Sequence, residues 1–332
     1  MFYPSYKEKF AALLAEIDSL KLPVVVIGHT RPDGDCIGSQ VAFCRILRAL
    51  GHDAVCVNAD AVPRRTAYAL AGTPFFGRQD LPEKNYAAVY VDCGDIDRAG
   101  EKLPLQFPNP VGEIDHHLGN PNFAKHCIVD SSSAAACELI AGLALDAGLP
   151  IDAATAKALY LGIATDTGQF RFNSTSRRTF EIAAQLVALG ANATEAAHQL
   201  YECEPLGKSR LLQRFLASFQ FACDNRVCVG TLSRGIYEET GTTAEDTEGI
   251  VDYTRYTEGV DIGVLIEERE GSIKASLRAK FPDFRVDLIA AKFGGGGHAC
   301  AAGINRKNVT LEVFRAELLA AIAESLDKVP RG

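Results

Sequence analysis

Three features of the amino-acid order predict an α/β protein in two parts. Short β-branched runs alternate with helical periodicities along residues 1–203, which predicts a doubly wound, mostly parallel sheet. Beyond residue 224 the pattern changes to long strands joined by a tight turn, which predicts a smaller α+β domain with a mixed sheet. Between them, residues 204–224 carry Leu206, Leu211, Leu212, Phe215, Leu216 and Phe219 at helical spacing and read as a helical linker. The predicted domains are therefore 1–203 and 225–332.

Element by element, Phe10, Leu13, Leu14, Ile17 and Leu20 predict an opening amphipathic helix. The run Leu22 to Gly28 predicts a strand buried on both faces, closed by a loop that Pro32 and Gly34 enforce. A helix follows over Cys36 to Leu50, stopped by Gly51. Further strands are predicted at 53–58, 87–94, 111–117 and 126–130. Ser131 or Ser132 is the expected cap of a helix running to about Ala147. Helices are expected over Ala153 to Thr165 and Arg177 to Leu189, and alternation at Phe170 and Phe172 predicts a half-buried strand between them. In the second domain, strands 226–232, 260–269 and 272–280 precede a helix that enters a run of four glycines, and a helix from about Leu311 to Leu326 closes the chain.

Composition narrows the function classes. With 47% hydrophobic and 23% charged residues the chain is expected to be globular. A net charge of -8 argues against a long duplex nucleic acid as partner, since such a surface needs a cationic excess. Ten cysteines without a CxxC pair read as buried thiols of a reducing compartment. The charged N-terminal segment is not expected to be a signal peptide, and the most apolar stretch, 134–149, is too short for a bilayer. The expected location is cytoplasmic, without membrane association.

Four short segments carry the chemistry. His29, Asp33 and Asp35 (HxxxDxD), Asp92, Asp115 with His116 and His117, and Asp166 each follow an apolar run. In a doubly wound sheet such positions gather at the carboxyl rim, where ligands bind. Close carboxylates repel one another unless a cation lies between them. Nitrogen and oxygen donors of this kind suit Mn²⁺, Mg²⁺ or Fe²⁺, and six or seven are too many for one ion with an open position. Two divalent ions sharing a carboxylate are therefore expected. Cys36 and Cys93 adjoin the motifs but are weaker ligands beside hard oxygens. Asp95 and Arg98 read as loop-shaping residues, and the serines at 131–133 as a cap before a nucleophile.

These four segments resemble, in order and spacing, the motifs of the DHH phosphoesterase superfamily, named for the triplet at Asp115 to His117. GGGGHACAAG (294–303) is similar to the glycine-rich motif of the DHH-associated C-terminal domain, and the run from EGIVDYTRYTEG through SLRAK resembles the NrnA-type branch. The resemblance implies one metal on His29, Asp33 and Asp92 and a second on Asp35, Asp92, His116 and Asp166, with Mn²⁺ the expected ion and Mg²⁺ an alternative. It implies catalytic roles for Asp92 as the bridge, Asp115 as an orienting group and His117 facing the phosphate. It implies substrate binding by Arg278, Gly295, Gly296, Gly297 and His298, with Arg255 a weaker candidate. The implied substrates are very short oligonucleotides, dinucleotides and 3′-phosphoadenosine 5′-phosphate (pAp), and a homodimer is common among such proteins. A cyclic- or linear-dinucleotide phosphodiesterase shares these motifs and stays open. So does a non-enzymatic nucleotide sensor, although no motif carboxylate is missing.

Overall fold

The computed structural model describes residues 1–329, which divide into two compact units, Met1–Cys203 and a second beginning at Glu204. In the first unit the elements run α1 (Lys7–Leu20), β1 (Val24–Ile27), α2 (Gly34–Ala49), β2 (Ala54–Asn58), β3 (Phe75–Gly77), β4 (Ala87–Val91), α3 (Leu103–Gln106), β5 (Gly112–Asp115), β6 (His126–Val129), α4 (Ala136–Asp146), α5 (Ala153–Asp166), α6 (Arg177–Ala188) and α7 (Ala193–Ala197). The six strands form a parallel sheet in the order β3-β2-β1-β4-β5-β6. The order reverses between β1 and β4, so the loops after these two strands splay to opposite faces and leave a crevice at their carboxyl ends.

The β-branched run of β1 explains its central place. Val24 and Val26 pack into the larger apolar core with α1, α2, α4 and α5, while Val25 and Ile27 pack into the core on the other face with Tyr90, Leu103 and Phe107. All four are fully buried, as two covered sheet faces require. Strand β3 carries no long apolar run and was not expected; it is a three-residue edge piece held by pairing to β2.

Two local expectations are corrected. Helix α4 begins at Ala136, and no serine caps it: the N–H groups of Ala136 and Cys137 donate to the two carboxylate oxygens of Asp35, at 2.6 and 2.8 Å. Residues 131–133 instead form a turn around Asp130, whose carboxylate accepts from the Ser132 N–H at 3.0 Å. The expected strand around Phe170 and Phe172 is a run of turns with Gln169 and Phe170 at positive φ; the Phe170 ring stacks on Phe180, with centroids 5.2 Å apart. Asp166 ends helix α5, one residue beyond the helix expected over 153–165.

In the second unit α8 (Leu206–Ala217) precedes β7 (Gln220–Ala222), β8 (Val227–Leu232), α9 (Ile236–Thr240), α10 (Asp252–Arg255), β9 (Ile262–Arg269), β10 (Ser272–Ala279), α11 (Val286–Ala291), β11 (Gly296–His298), β12 (Ala301–Lys307) and α12 (Leu311–Leu326). The stretch expected as a linker is thus helical only in part. Leu211 and Phe215 of α8 pack in one apolar cluster with Leu232 and Leu265, and β7 is an edge strand of the sheet. That sheet is mixed, in the order β11-β12-β10-β9-β8-β7, with β8 and β9 parallel and the other pairs antiparallel. Among the described residues no helix is long and apolar enough to cross a membrane.

Gly162 of α5 sits where any Cβ would overlap Cys137 Sγ and the Asp35 carboxylate. Gly162→Ala is expected to lower stability by roughly 1–3 kcal/mol through overpacking. It should also displace Asp35, so thermal unfolding and divalent-cation binding should weaken together; an unchanged Tm would contradict the close helix approach.

Candidate active site

The sheet brings together residues that lie far apart in sequence. His29 follows β1, Asp33 caps α2, and Asp35 lies in its first turn. Asp92 follows β4, Asp115 ends β5, and His116 and His117 follow it. Asp166 arrives from the carboxyl end of α5.

Asp92 is the centre. It is 2% exposed and holds a left-handed backbone (φ 51°), an arrangement that costs a non-glycine residue roughly 1–3 kcal/mol and marks an imposed geometry. Its Oδ2 lies 3.3 Å from His29 Nε2, and its Oδ1 lies 3.4 Å from His116 Nε2 and 3.7 Å from His117 Nδ1. Yet Oδ1 has no hydrogen-bond partner although it is buried. A buried carboxylate oxygen without a donor is costly unless a cation completes it.

The other donors face the same space. His116 Nε2 is 3.3 Å from Asp166 Oδ2 and 3.7 Å from Asp35 Oδ2, and His29 Nε2 is 3.8 Å from Asp33 Oδ1. Both imidazoles are oriented from behind. His29 Nδ1 lies 2.8 Å from the carbonyl of Thr30 and His116 Nδ1 lies 3.3 Å from that of Ser133, which leaves each Nε2 as the inward atom. Three sets of donors converge closely enough to hold an ion: His29 with Cys36 and Asp92; Asp92 with His116 and His117; Asp35 with His116 and Asp166.

Cys36 in the first set is a poor ligand on chemical grounds. Its buried thiol is pushed up to about 12 and faces the Gln40 side chain at 3.6 Å, so it stays protonated. Asp33 is the better partner there, being solvent-accessible and close to His29. The donor set is thus four carboxylates and two inward imidazoles, which fits divalent ions that favour oxygen and nitrogen.

The concentration of negative charge shifts the proton affinities of the cluster. Burial raises the Asp35 carboxyl well above its ordinary range, helped by the negative charges of Asp92 and Asp166. Burial likewise pushes Asp166 up to about 6, with Asp33 and Asp92 adding to it and His116 opposing. Desolvation disfavours the imidazolium of His116, but Asp166, Asp92 and Asp35 outweigh it and push it up to about 12. For Asp92, burial also acts against the charged form, but the two histidines overcome it and hold the carboxyl below its usual range.

Asp115 and His117 play a different part. Both Asp115 oxygens are occupied: Oδ1 lies 2.8 Å from His117 Nδ1, and Oδ2 accepts from Asn120 Nδ2 at 2.7 Å. With Nδ1 so paired, His117 turns Nε2 toward Arg98 Nη1, 3.4 Å away. Arg98 has no carboxylate within ion-pair distance among the described residues. Its carbonyl accepts from Thr30 N–H at 2.7 Å, tying the loop after β4 to the loop that carries His29. Reading Arg98 as loop-shaping therefore captured its backbone and missed its side chain. The overlooked signal is an arginine six positions beyond Asp92, in the loop that follows the same strand.

In the second unit the register aligns the expected binding residues. Arg278 of β10 stands opposite Ala301 of β12, and Ala301 opposite His298 of β11. Directly opposed residues share a face, so Arg278 and His298 lie on one side of the sheet, two strand spacings or roughly 10 Å apart. On the other flank Arg278 opposes Gly263, against which the Thr254 side chain and the Arg255 backbone nitrogen pack. Arg255 is paired with Asp252 at 2.9 Å, whereas Arg278 has no carboxylate within ion-pair distance among the described residues. The glycine run is not the mobile loop that such a sequence suggests. Gly295 and Gly297 lie where a Cβ would overlap the backbone of β12, and Gly296, with open space around it, lies on the outermost strand. An edge strand leaves one row of backbone N–H groups unpaired, so donors for an anion remain.

Comparison with known proteins shows the family and the fold. Residues 23–163 match the model of the DHH family, N-terminal domain, and residues 224–328 match the DHHA1 domain. A protein of Thermus thermophilus named "Bifunctional oligoribonuclease and PAP phosphatase NrnA" is 30% identical, the alignment covering 98% of this chain and 97% of that one. A protein of the same name from Bacillus subtilis is 26% identical over 86% of this chain and 90% of its own. An exopolyphosphatase-related protein from Bacteroides fragilis shares the fold, with a TM-score of 0.84 at 22% identity, covering 98% and 96% of the two chains.

Because His116, Asp35 and Asp166 must shed protons to receive a cation, affinity for Mn²⁺ should rise with pH. The expected gain is about tenfold per pH unit for each proton still bound, with Asp166 contributing only below about pH 6. Calorimetry in buffers of different ionisation heat should register proton release; a flat affinity with buffer-independent heat would contradict the proton-filled cluster. The chain is a member of the DHH family, carrying the DHHA1 domain behind its N-terminal catalytic-type domain.

Proposed function

We propose that the chain is a metal-dependent hydrolase of phosphoric esters that removes the 3′-phosphate of pAp and splits dinucleotides and very short oligonucleotides into mononucleotides. The observation that carries this reading is the convergence of donors from four segments on Asp92, with one of its buried oxygens lacking a partner. The names of the Thermus and Bacillus relatives, similar along nearly the whole chain, support the choice of substrate.

In this reading His29, Asp33 and Asp92 hold one divalent ion and Asp35, Asp92, His116 and Asp166 hold another, with Mn²⁺ favoured and Mg²⁺ the alternative. When bound, the ions would supply Lewis acidity for a water nucleophile and for the phosphoryl oxygens. The protein supplies position. Thr30 and Ser133 carbonyls fix the imidazoles, and the α4 N–H groups fix Asp35. Asp115 holds the Nδ1 side of His117, so that Nε2, beside Arg98, faces the incoming phosphate. Placed between Asp115 and Arg98, His117 serves the phosphate as a hydrogen-bonding group. Arg278, His298 and the outward N–H groups of β11 bind the substrate's second phosphate, whereas the Gly295 N–H is already donated to the Ala290 carbonyl at 2.9 Å and Arg255 is held back by Asp252.

The acidic balance of the chain fits small substrates met by a few local cations, and its ten free thiols fit a reducing, cytoplasmic setting.

Purified protein with Mn²⁺ should turn over pAp and a linear dinucleotide, and pyrophosphate poorly. Turnover of pyrophosphate or a cyclic dinucleotide alone would replace this reading. Asp92→Ala should abolish activity on every substrate, and near-normal rates would remove the shared-ligand assignment. Arg278→Ala should raise KM for pAp roughly ten- to a hundredfold, as loss of a charge-assisted phosphate contact does. Hydrolysis of a generic aryl phosphodiester should be largely kept; equal losses on both would deny Arg278 a substrate-binding role.

A further inference from the structure

The first unit holds a second concavity that the proposed site does not use. A cavity of about 710 Å³ opens at the carboxyl ends of β1, β2 and β3, within the size range of small-ligand sites. Its inner rim is Thr30, the residue after His29, and Gly100, two residues past Arg98. The Thr30 N–H to Arg98 carbonyl bond makes that rim one structure with the wall of the candidate active site.

The lining is of mixed chemistry. Phe75 and Phe76 offer half-buried rings, Asp60 and Asp80 offer carboxylates, and Arg78 offers a guanidinium. The Nε of Arg78 is fully buried and has no hydrogen-bond partner, and Arg78 has no carboxylate within ion-pair distance among the described residues. Arg78 lines the cavity without an internal acceptor, so its remaining guanidinium N–H groups are available to an acceptor on a ligand. A bare phosphate is a poor occupant because the two carboxylates would repel it. A nucleoside fits: its base has a face for the rings and both donors and acceptors on its edges, and its ribose hydroxyls suit carboxylates.

The substrates themselves say which nucleoside. In pAp and in a 5′-phosphorylated dinucleotide the same bond breaks if O3′ is the leaving atom. Water oxygen bonds to phosphorus, the P–O3′ bond opens, and a proton passes to O3′. The two substrates then differ in one part, the nucleoside that stays attached to phosphorus through its O5′. Nothing in the proposed site binds that part. We infer that the cavity between Thr30 and Arg78 is the subsite for this O5′-linked nucleoside, so that it separates diesterase from phosphatase activity within one active site.

The inference rests on the proposed function and is tested by a ratio, the kcat/KM for the dinucleotide pApA divided by that for pAp. Arg78→Ala and, independently, Ala61→Phe, which fills the cavity from an exposed lining position, should each lower the ratio about tenfold. Turnover of pAp in the same samples reports that each variant is folded. A ratio equal to that of the unaltered protein in both variants overturns the subsite, as does a parallel loss on both substrates, which would make Arg78 structural. If Phe172→Ala lowers the ratio and the cavity variants do not, the nucleoside lies on the exposed aromatic surface beyond Asp166 and the inference is wrong. Failure of the unaltered protein to hydrolyse either substrate would instead remove the proposed function, and the subsite with it.

Discussion

The first unit is built around mutual repulsion. Asp33, Asp35, Asp92 and Asp166 approach one crevice from three different segments, and Asp35 and Asp92 do so with almost no contact with water. Like charges in a low-dielectric setting cannot all stay ionised without a compensating charge. Burial and neighbouring carboxylates raise the proton affinity of Asp35 and Asp166, the carboxylates raise that of His116, and the proposed cations would compete with those protons. The surrounding structure resists the strain. Asp35 is clamped by the first N–H groups of α4, and the left-handed Asp92 is held by its own N–H, which donates to the carbonyl of Ile114 on β5.

That clamp joins folding to chemistry. Asp35 serves as the cap that α4 lacks in its own sequence, so one carboxylate both ends the exposure of helix N–H groups and faces His116. The close approach that lets it do so depends on Gly162 of α5. A residue that reads as a ligand is therefore also a packing element, and changes to it act on both.

The second unit uses a different device. Where the first gathers groups at strand ends, the second gathers them along one row across strands, through the register of β10, β12 and β11. Two of the glycines before His298 allow β11 to lie against β12, which places His298 in that row. Arg278 lacks an internal carboxylate while its neighbour Arg255 has one, and this asymmetry supports assigning the first to substrate and the second to structure.

Much of this was legible in the residue order. Alternating β-branched runs and helical periods indicate a doubly wound sheet because both faces of a parallel strand must be apolar, and Val24 to Ile27 are buried on both. The donors at 29, 33, 35, 92, 115–117 and 166 were legible because four segments repeated one pattern, polar groups after an apolar run. Tertiary structure decided what depends on partners distant in sequence. The α4 cap lies on Asp35, about a hundred residues away, so the nearer serines misled. Arg98 reaches His117 only because the loops after β4 and β5 share one rim. The turn at Phe170 arises from ring packing against α6 and overrides the alternation that favours a strand. The cavity beside Thr30 belongs to no motif, since its walls come from separate loops. Periodicity and spacing record what each segment needs by itself, and only the folded chain determines which segments meet.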